Sequence, residues 1–503
     1  MHIVVVGASL AGVRTVQALR RRGSDARITL IGAEPRVAAD RPPLSKTYLA
    51  DPGAEAPPLL STDRLAELHV DTRLGRRATA LDLGDRSVAL DDGDRVRFDA
   101  LVVATGSAPR LLPGVRPGGG VHVLRTPEDA AAIRAGCRPG TRVVVVGGGF
   151  IGAEVAWTAR GLGCEVTIVE PRAALMERGL GPHLGAALTR MHTRAGVTPR
   201  LGTGMAAVER GGIDVVAVER AGIDVVAVER GGADVVAVER GGADVVAVER
   251  GGADAVAVEC AGIDMAAVER GGADVAMVER GGAAMAAVER ARGEVVPVEG
   301  AGVGAAGEPD RRAVTAVRLT GGERIPADLV VLGVGAVPET GWLTGSGLTL
   351  DDGVVCDEHL AAIGAPGVYA AGDVARWHHP RYGEPVRGEH WTNAVDHAAV
   401  VAANLTGGHV TCDAVPYVWS DQLGGRLQIY GRFRPEDEVR IVHGDPEDGR
   451  FVAVAVAGDG GVLQGVAGFG VTRELAPFRR LLLAGGTWQE ALDAHGDLAK
   501  GRR

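Results

Sequence analysis

Two stretches of the chain share one rhythm of apolar and polar positions. Ile3 to Val6 is an unbroken apolar run, GASLAG follows as a glycine-bearing turn, and helical text extends from about Ala11 to Arg22. A second short apolar segment, Ile28 to Ile31, runs towards Glu34. The order strand, turn, helix, strand returns at Val143 to Val146, with GGGFIGAE after it and VTIV closing on Glu170. Each stretch predicts a βαβ opening. From about residue 414 the pattern predicts strands at Arg426 to Tyr430, Phe451 to Val456 and Gly461 to Val466, then a helix near Arg473 to Leu483.

The turns carry the first candidate chemistry. Gly7 permits a tight turn, Ser9 takes a middle position usually held by glycine, and Gly12 lets helix and strand approach closely. A pyrophosphate sits well on such a helix N-terminus, where unpaired N–H groups and the helix dipole favour anions. Glu34, 22 residues after Gly12, can accept hydrogen bonds from a ribose. In the second unit the glycines are Gly147, Gly149 and Gly152, and Glu170 follows 18 residues later. A carboxylate there repels a 2′-phosphate and bonds a free 2′-hydroxyl, so NADH is preferred over NADPH, although Arg172 lies two residues on. One such string is weak evidence; two complete units are specific, and one nucleotide for each suggests a flavin and a nicotinamide. LVVATGS, with Thr105 and Gly106, and VYAAGDVA, with Gly372 and Asp373, each predict a strand ending in glycine beside a cofactor. Asp373 is placed to hold a ribityl hydroxyl or to cap a helix.

From Gly211 to Arg290 the text is eight consecutive decapeptides of the form GGADVVAVER, with half-copies before and after. The eight units hold seven arginines against fifteen carboxylates, so they account for −8 of the formal net charge of −10. Two glycines in every ten residues break a helix, whereas eight-residue stretches between Gly-Gly pairs fit strands and turns, as a β-meander or coiled stack; disorder is the alternative. In a two-residue hairpin Glu229 would face Asp234, a like-charge pair that argues against that register. The insert is a partner-binding arm or a neutral expansion at a loop tip, where insertions are tolerated.

Length and composition bound the rest. A chain of 503 residues accommodates about three domains. No basic leader precedes Ile3 and no run of about 18 apolar residues occurs, which predicts a cytoplasmic protein without a membrane span. The five cysteines, Cys137, Cys164, Cys260, Cys356 and Cys412, form no CxxC pair, so neither a redox dithiol nor a metal site is expected. The negative balance offers no basic face for nucleic acid. Of 54 basic residues only Lys46 and Lys500 are lysines.

Seven strings together resemble the ferredoxin-reductase family of FAD-dependent pyridine-nucleotide oxidoreductases, the putidaredoxin and rubredoxin reductase type. They are DRPPLSK (Asp40 to Lys46), ATGSAPR, GGGFIGAEVA, VLGVGAVPET (Val331 to Thr340), AAGDVARW, EHWTNAVDHA (Glu389 to Ala398) and VPYVWSDQLGGRLQIYG (Val415 to Gly431). The resemblance covers nearly everything except roughly 210 to 310. It implies an α/β fold with two Rossmann-like domains and a small C-terminal α+β domain. FAD would be held by 1–112 and 336–413, and NAD by 113–335, interrupted by an insertion at 205–300; 414–503 would form the C-terminal domain. MAAVER itself looks like the last native strand, copied.

The resemblance also implies contacts to FAD from Ala11, Glu34, Arg41, Lys46, Ala78, Arg125, Asp373 and Trp391, and to NAD from Gly147, Gly149, Ile151, Glu154, Glu170 and Gly335. Ala38 and Ala39 depart from the family's usual pair before DRPPLSK, and the acidic ribose partner could fall at Ala33 instead of Glu34. Disulfide reductases of this fold carry cysteines where this chain has Pro42, Pro43, Leu44 and Ser45, so electrons would leave the flavin directly for a ferredoxin or rubredoxin of an oxygenase system. Lys46 and Glu154 are the expected catalytic pair, since a chain that uses arginine nearly everywhere keeps a compact ammonium here. Glu154 would lie in the first turn of its helix. An acidic ferredoxin would meet positive charge at Arg376, Arg381, Arg387, His378, His379, Arg426 and Arg432. The alternatives are an NADH oxidase or quinone reductase on the same fold, or a flavoprotein binding module that uses the repeat arm.

Overall fold

Apolar runs rich in β-branched residues build two parallel sheets of the same design. In the computed structural model, described at residues 1–211, 313–458 and 461–500 and, as strands alone, within 214–279, the first sheet has the spatial order Val368–Ala370, Ala100–Val103, His2–Val6, Arg27–Gly32 and Val70–Leu74. The second runs Val197–Leu201, Glu165–Glu170, Arg142–Val146, Leu329–Leu332 and Val121–Val123. Ile3, Val4 and Val5, like Val143 to Val145, are buried, as strands covered on both faces must be. The central strand of each sheet leads through a glycine turn into a helix, Leu10–Arg21 in one and Phe150–Gly161 in the other.

Each parallel sheet carries a three-stranded antiparallel partner, formed by Ala78–Asp82, Ser87–Leu90 and Arg95–Arg97 in the first unit. In the second it is Met205–Arg210, Val314–Leu319 and Arg324–Pro326. Residues from 417 onward make a five-stranded antiparallel sheet in the order Tyr417–Gln422, Gly425–Gly431, Leu463–Phe469, Arg450–Val456 and Glu438–Asp445. One face joins a core with Ile133, Val143, Ile168 and Leu184 through Leu427, Phe451 and Phe469. The other packs on helix Thr472–Leu483 and the helix beginning at Trp488. No helix among the described residues is long and apolar enough to cross a membrane.

Several local expectations need correction. The strands in LVVATGS and VYAAGDVA stop at Val103 and Ala370, before their glycines. Gly106 and Gly372 take φ of +69° and +78°, left-handed values that cannot continue a ladder. The strand expected from Gly461 starts at Leu463 and extends to Phe469, because Gly461 has φ of +61°. The terminal helix Trp488–Lys500 was not anticipated.

At the insertion, Met205–Arg210 is a strand of the second unit's antiparallel sheet. Buried Glu209 accepts from Arg318 at 2.7 Å on the adjacent strand and from Arg324 at 2.5 Å on the strand beyond it. Arg210 donates to the carbonyls of Gly118 and Arg116. Beyond it, Asp224–Arg230 pairs antiparallel with Asp234–Arg240, with Arg230 opposite Asp234. Glu229 stands opposite Val235 and not Asp234, so the register is not the one that the like-charge pair argued against. The connection 231–233, Cys260 and the remaining repeat residues lie outside the described residues.

The Gly211 N–H donates to the Ala313 carbonyl at 2.8 Å, so the insertion leaves and returns at one hydrogen-bonded step. Excising residues 212–312 and closing the gap with a two-residue turn is expected to leave the melting temperature and bound flavin unchanged. Glu209→Ala, by contrast, costs roughly 1–2 kcal/mol, limited by the water access of its arginine partners. A calorimetric scan that ranked the two changes the other way would contradict this account of the hairpin root.

Candidate functional site

The first glycine turn brings backbone against backbone. A Cβ on Gly7, whose φ is +122°, would stand 2.1 Å from the Ala104 oxygen, and one on Gly12 would stand 1.8 Å from the Gly7 oxygen. Helix Leu10–Arg21 can therefore start directly over the strand end, with Ser9 as its N-cap and no side-chain hydrogen bond occupying the first N–H groups. Ala11 is buried, and its Cβ lies 3.0 Å from where a Cβ of Gly372 would be. The loop after the second strand brings Glu34 beside the approach to Ala78, through Gly75 N–H donating to the Glu34 carbonyl at 2.8 Å.

Around this turn the charges are gathered. Asp373 accepts from Ser107 Oγ at 2.7 Å and lies 3.7 Å from Arg125, which also donates to Ser107 at 3.3 Å. Loss of water and the nearby Arg125 pull the pKa of Arg41 down to about 10, while Asp373 and Glu34 act in the opposite sense. Desolvation lowers Arg125 as well, against Asp373. Two guanidinium groups held in one recess, each short of water, suit a ligand with adjacent negative charges. The buried His397 imidazole, lowered to about 3 by desolvation, accepts from the Gly372 N–H at 3.2 Å. It lies within a string singled out above, yet its role was not read there.

The second glycine turn repeats the sterics. A Cβ on Gly152 would lie 2.0 Å from the Gly147 oxygen, and Gly147 has φ of +104°. Gly149 and Gly335 have open space where a side chain would go, and Ile151 is exposed. The Glu170 carboxylate accepts the N–H groups of Gly148 at 2.7 Å and Arg172 at 2.9 Å, which orients it at the mouth of the turn. The two turns are linked by Thr105, which donates to the Glu339 carbonyl at 2.8 Å, and by strand Ser107–Pro109 pairing with Ala336–Pro338. Both sites fit a dinucleotide: backbone N–H groups at a helix start, a cradle that excludes Cβ atoms, and a carboxylate at the end of the next strand.

Lys46 and Glu154 meet where the three parts of the chain converge. Lys46 Nζ donates to Glu154 Oε2 at 2.7 Å and to the Pro42 carbonyl at 3.0 Å. Ser45 Oγ donates to the same carboxylate oxygen at 2.5 Å, and Ser420 Oγ donates to Oε1 at 2.6 Å. Glu154 does not lie in the first helical turn: with Gly149 as N-cap it is the fifth helical residue, and its side chain is 5% exposed. Hydrogen bonds and the ammonium, not the helix end, compensate its charge. Trp391 opens helix Trp391–Leu405, donates to Asp40 at 2.9 Å and meets Trp419 edge-on at 5.9 Å, tying the DRPPLSK loop to the C-terminal sheet. Ser45 was read from sequence only as a position without sulfur, and Ser420 and Gln422 went unread; the alternation of Ser420 and Gln422 along one strand face was the available signal.

The expected arginine patch carries little free charge. Arg376 is paired with Asp351, Arg387 with Asp352 and Glu389, Arg426 with Asp421, and Arg432 with Glu384. Arg381 donates to the carbonyls of Leu482 and Leu483, and His379 is buried. Cys137, Cys164, Cys356 and Cys412 are free thiols. Burial pushes Cys137 and Cys412 up to about 12, so neither is a ready nucleophile.

With this geometry in hand, comparison with known proteins is specific. The pyridine nucleotide-disulphide oxidoreductase family model matches residues 1–231 and 246–398, and the reductase C-terminal model matches 417–500. The chain belongs to the pyridine nucleotide-disulphide oxidoreductase family. It is 32% identical over 484 residues to the ferredoxin–NAD(+) reductase component of the anthranilate 1,2-dioxygenase system of Burkholderia cepacia, spanning 96% of this chain and 94% of that protein. The covalent putidaredoxin reductase–putidaredoxin complex is similar at a TM-score of 0.72 and 28% identity, over 96% of this chain and 93% of the other. A ferredoxin reductase from Rhodopseudomonas palustris, which serves the CYP199A2 system, gives 0.73 and 26%, over 99% of both chains.

The equivalent steric constraints make a paired prediction. Gly12→Ala is expected to abolish flavin retention, whereas Gly152→Ala keeps the flavin and weakens NADH binding at least tenfold. Flavin absorbance and an NADH titration would check both; normal flavin in Gly12→Ala would refute the assignment of the first turn.

Proposed function

We propose that this chain is an NADH-dependent ferredoxin reductase that supplies single electrons to a small [2Fe–2S] protein or rubredoxin of a mono- or dioxygenase system. The observation that carries the reading is the Lys46–Glu154 pair, seated on a sulfur-free PPLS segment at the convergence of two dinucleotide turns and a C-terminal sheet. The names of the relatives support the same partner class.

A bound FAD would supply the conversion between the two electrons of a nicotinamide and a one-electron acceptor. The protein's part is binding, orientation and charge. Residues 1–112 with 336–413 hold FAD, 113–335 hold NADH around the insertion, and 414–503 form the third domain. The N–H groups above Gly7, Ser9 and Gly12, with Arg41 and Arg125, take the pyrophosphate; Glu34 and Asp373 take hydroxyl groups. Gly147, Gly149, Gly152 and Gly335 admit the second dinucleotide, with Ile151 lying against it. Glu170 accepts the ribose hydroxyls and repels a 2′-phosphate, which favours NADH. Thr105, Gly106, Ala78, Gly372 and Trp391 shape the flavin pocket. Lys46, a compact ammonium anchored by Glu154, stabilises the charge that reduction brings to the flavin ring. Cytoplasmic NADH makes the cytoplasm the proposed location.

Purified protein is expected to show a flavin spectrum bleached by NADH much faster than by NADPH, and to reduce a [2Fe–2S] ferredoxin faster than oxygen. Rapid oxygen consumption that ferredoxin does not suppress would instead favour an oxidase. Lys46→Arg should retain FAD and slow its reduction by NADH about tenfold or more, since the planar fork cannot occupy the same point. Unchanged stopped-flow reduction would remove Lys46 from the mechanism.

A further inference from the structure

The hydrogen bonds to Glu154 do not end at its first neighbours. Ser420 Oγ, which donates to Glu154 Oε1 at 2.6 Å, accepts from Gln422 Nε2 at 2.9 Å. Gln422 Oε1 in turn lies 2.6 Å from His192 Nε2. All four side chains are buried. They come from three elements: helix Phe150–Gly161, helix Glu177–Arg194 and strand Tyr417–Gln422. Asp421, between the two strand residues, points to the opposite side and pairs with Arg426.

The donor directions are forced. A carboxylate only accepts, so the single Ser420 hydroxyl proton goes to Glu154, and Ser420 must receive its second bond from a donor. That requirement places the Gln422 amide nitrogen towards Ser420 and its oxygen towards His192. His192 must then carry its proton on Nε2, and burial keeps the ring neutral. Nδ1 has no partner. Every bond therefore points the same way, from His192 through Gln422 and Ser420 to Glu154, where Ser45 and Lys46 converge from the opposite side.

We propose that Ser420 and Gln422, with His192 behind them, are positioning residues for the Lys46–Glu154 pair, so that the C-terminal sheet fixes where the Lys46 ammonium stands. This rests on the reading that Lys46 acts in flavin reduction. A chain of groups that polarise in one direction strengthens its terminal bond, and Glu154 has no freedom to rotate while both of its oxygens are held from different elements. Removing Ser420 frees Oε1, and the carboxylate with its lysine can swing away from the reactive stance without leaving the site. The loss then falls on the step in which Lys46 must be in place, not on the capture of NADH.

The test is single-turnover flavin reduction by NADH in full-length holoenzyme, read as limiting rate and apparent dissociation constant. Ser420→Ala is expected to lower the limiting rate about tenfold with the dissociation constant changed less than about twofold, since only positioning is lost. Ser420→Thr keeps the hydroxyl and restores most of the rate. Gln422→Met gives a smaller loss in the same direction, and carries the comparison if Ser420→Ala sheds its flavin. In a Lys46→Met background, adding Ser420→Ala should have no further effect, because the residues act in series. A slow Lys46→Met enzyme beside a Ser420→Ala enzyme of wild-type rate would overturn the positioning role alone. So would effects that multiply independently. A Lys46→Met enzyme of wild-type rate would overturn both this role and the catalytic reading of Lys46.

Discussion

A carboxylate removed from water at the meeting point of three folding units constrains the rest of this structure. An isolated buried charge costs several kcal/mol even after relaxation, and is tolerated only when paired and saturated with hydrogen bonds. Glu154 meets that condition with an ammonium and two hydroxyl groups, drawn from residues 45, 46 and 420. None of these is a near neighbour in sequence. The DRPPLSK loop, the helix of the second dinucleotide unit and the first strand of the C-terminal sheet must therefore dock together before the charge is compensated. The same docking merges the second unit and the C-terminal sheet into one hydrophobic core, with Leu49 from the helical turn Thr47–Ala50 after the loop as its third contributor.

The two glycine turns act at the opposite range. In each, the governing contact is a carbonyl oxygen about 2 Å from where the Cβ of a residue five positions later would stand. A constraint that short is written in consecutive letters, which is why Gly7 and Gly12, Gly147 and Gly152, and the strands before them were legible without a structure. The parallel sheets follow from those turns, since a strand, a helix and a returning strand can close in only one hand. The glycines of the later strings were read as strand ends, but the ladders stop two to three residues before their left-handed φ values.

Legibility fails where a residue's meaning depends on a distant partner. The arginines from 376 to 432 show the sign of a charge in the sequence but not whether it is spent. Asp351, Asp352, Glu384 and Asp421 supply the counter-charges, and only the fold shows which carboxylate reaches which guanidinium. Lys46 and Glu154 were found as a pair through resemblance, not spacing. Ser420 and Gln422 stood inside a quoted string and still went unread, because their partners lie 266 and 230 residues away.

The repeat can be understood through the strand it copies. Met205–Arg210 is held by both of its last charges: Glu209 by arginines of the adjacent strand and the one beyond it, Arg210 by carbonyl groups of the segment before Val121. A unit ending in Val-Glu-Arg is thus a native strand whose charges are satisfied by fixed partners. A slip of one residue at the root would turn Glu209 to the opposite face and break both of its ion pairs. The copies begin at Gly211, whose N–H donates to the Ala313 carbonyl, so the chain leaves and rejoins the sheet at that step. Both glycine turns and the Lys46–Glu154 junction lie outside that excursion, so its length is decoupled from their geometry.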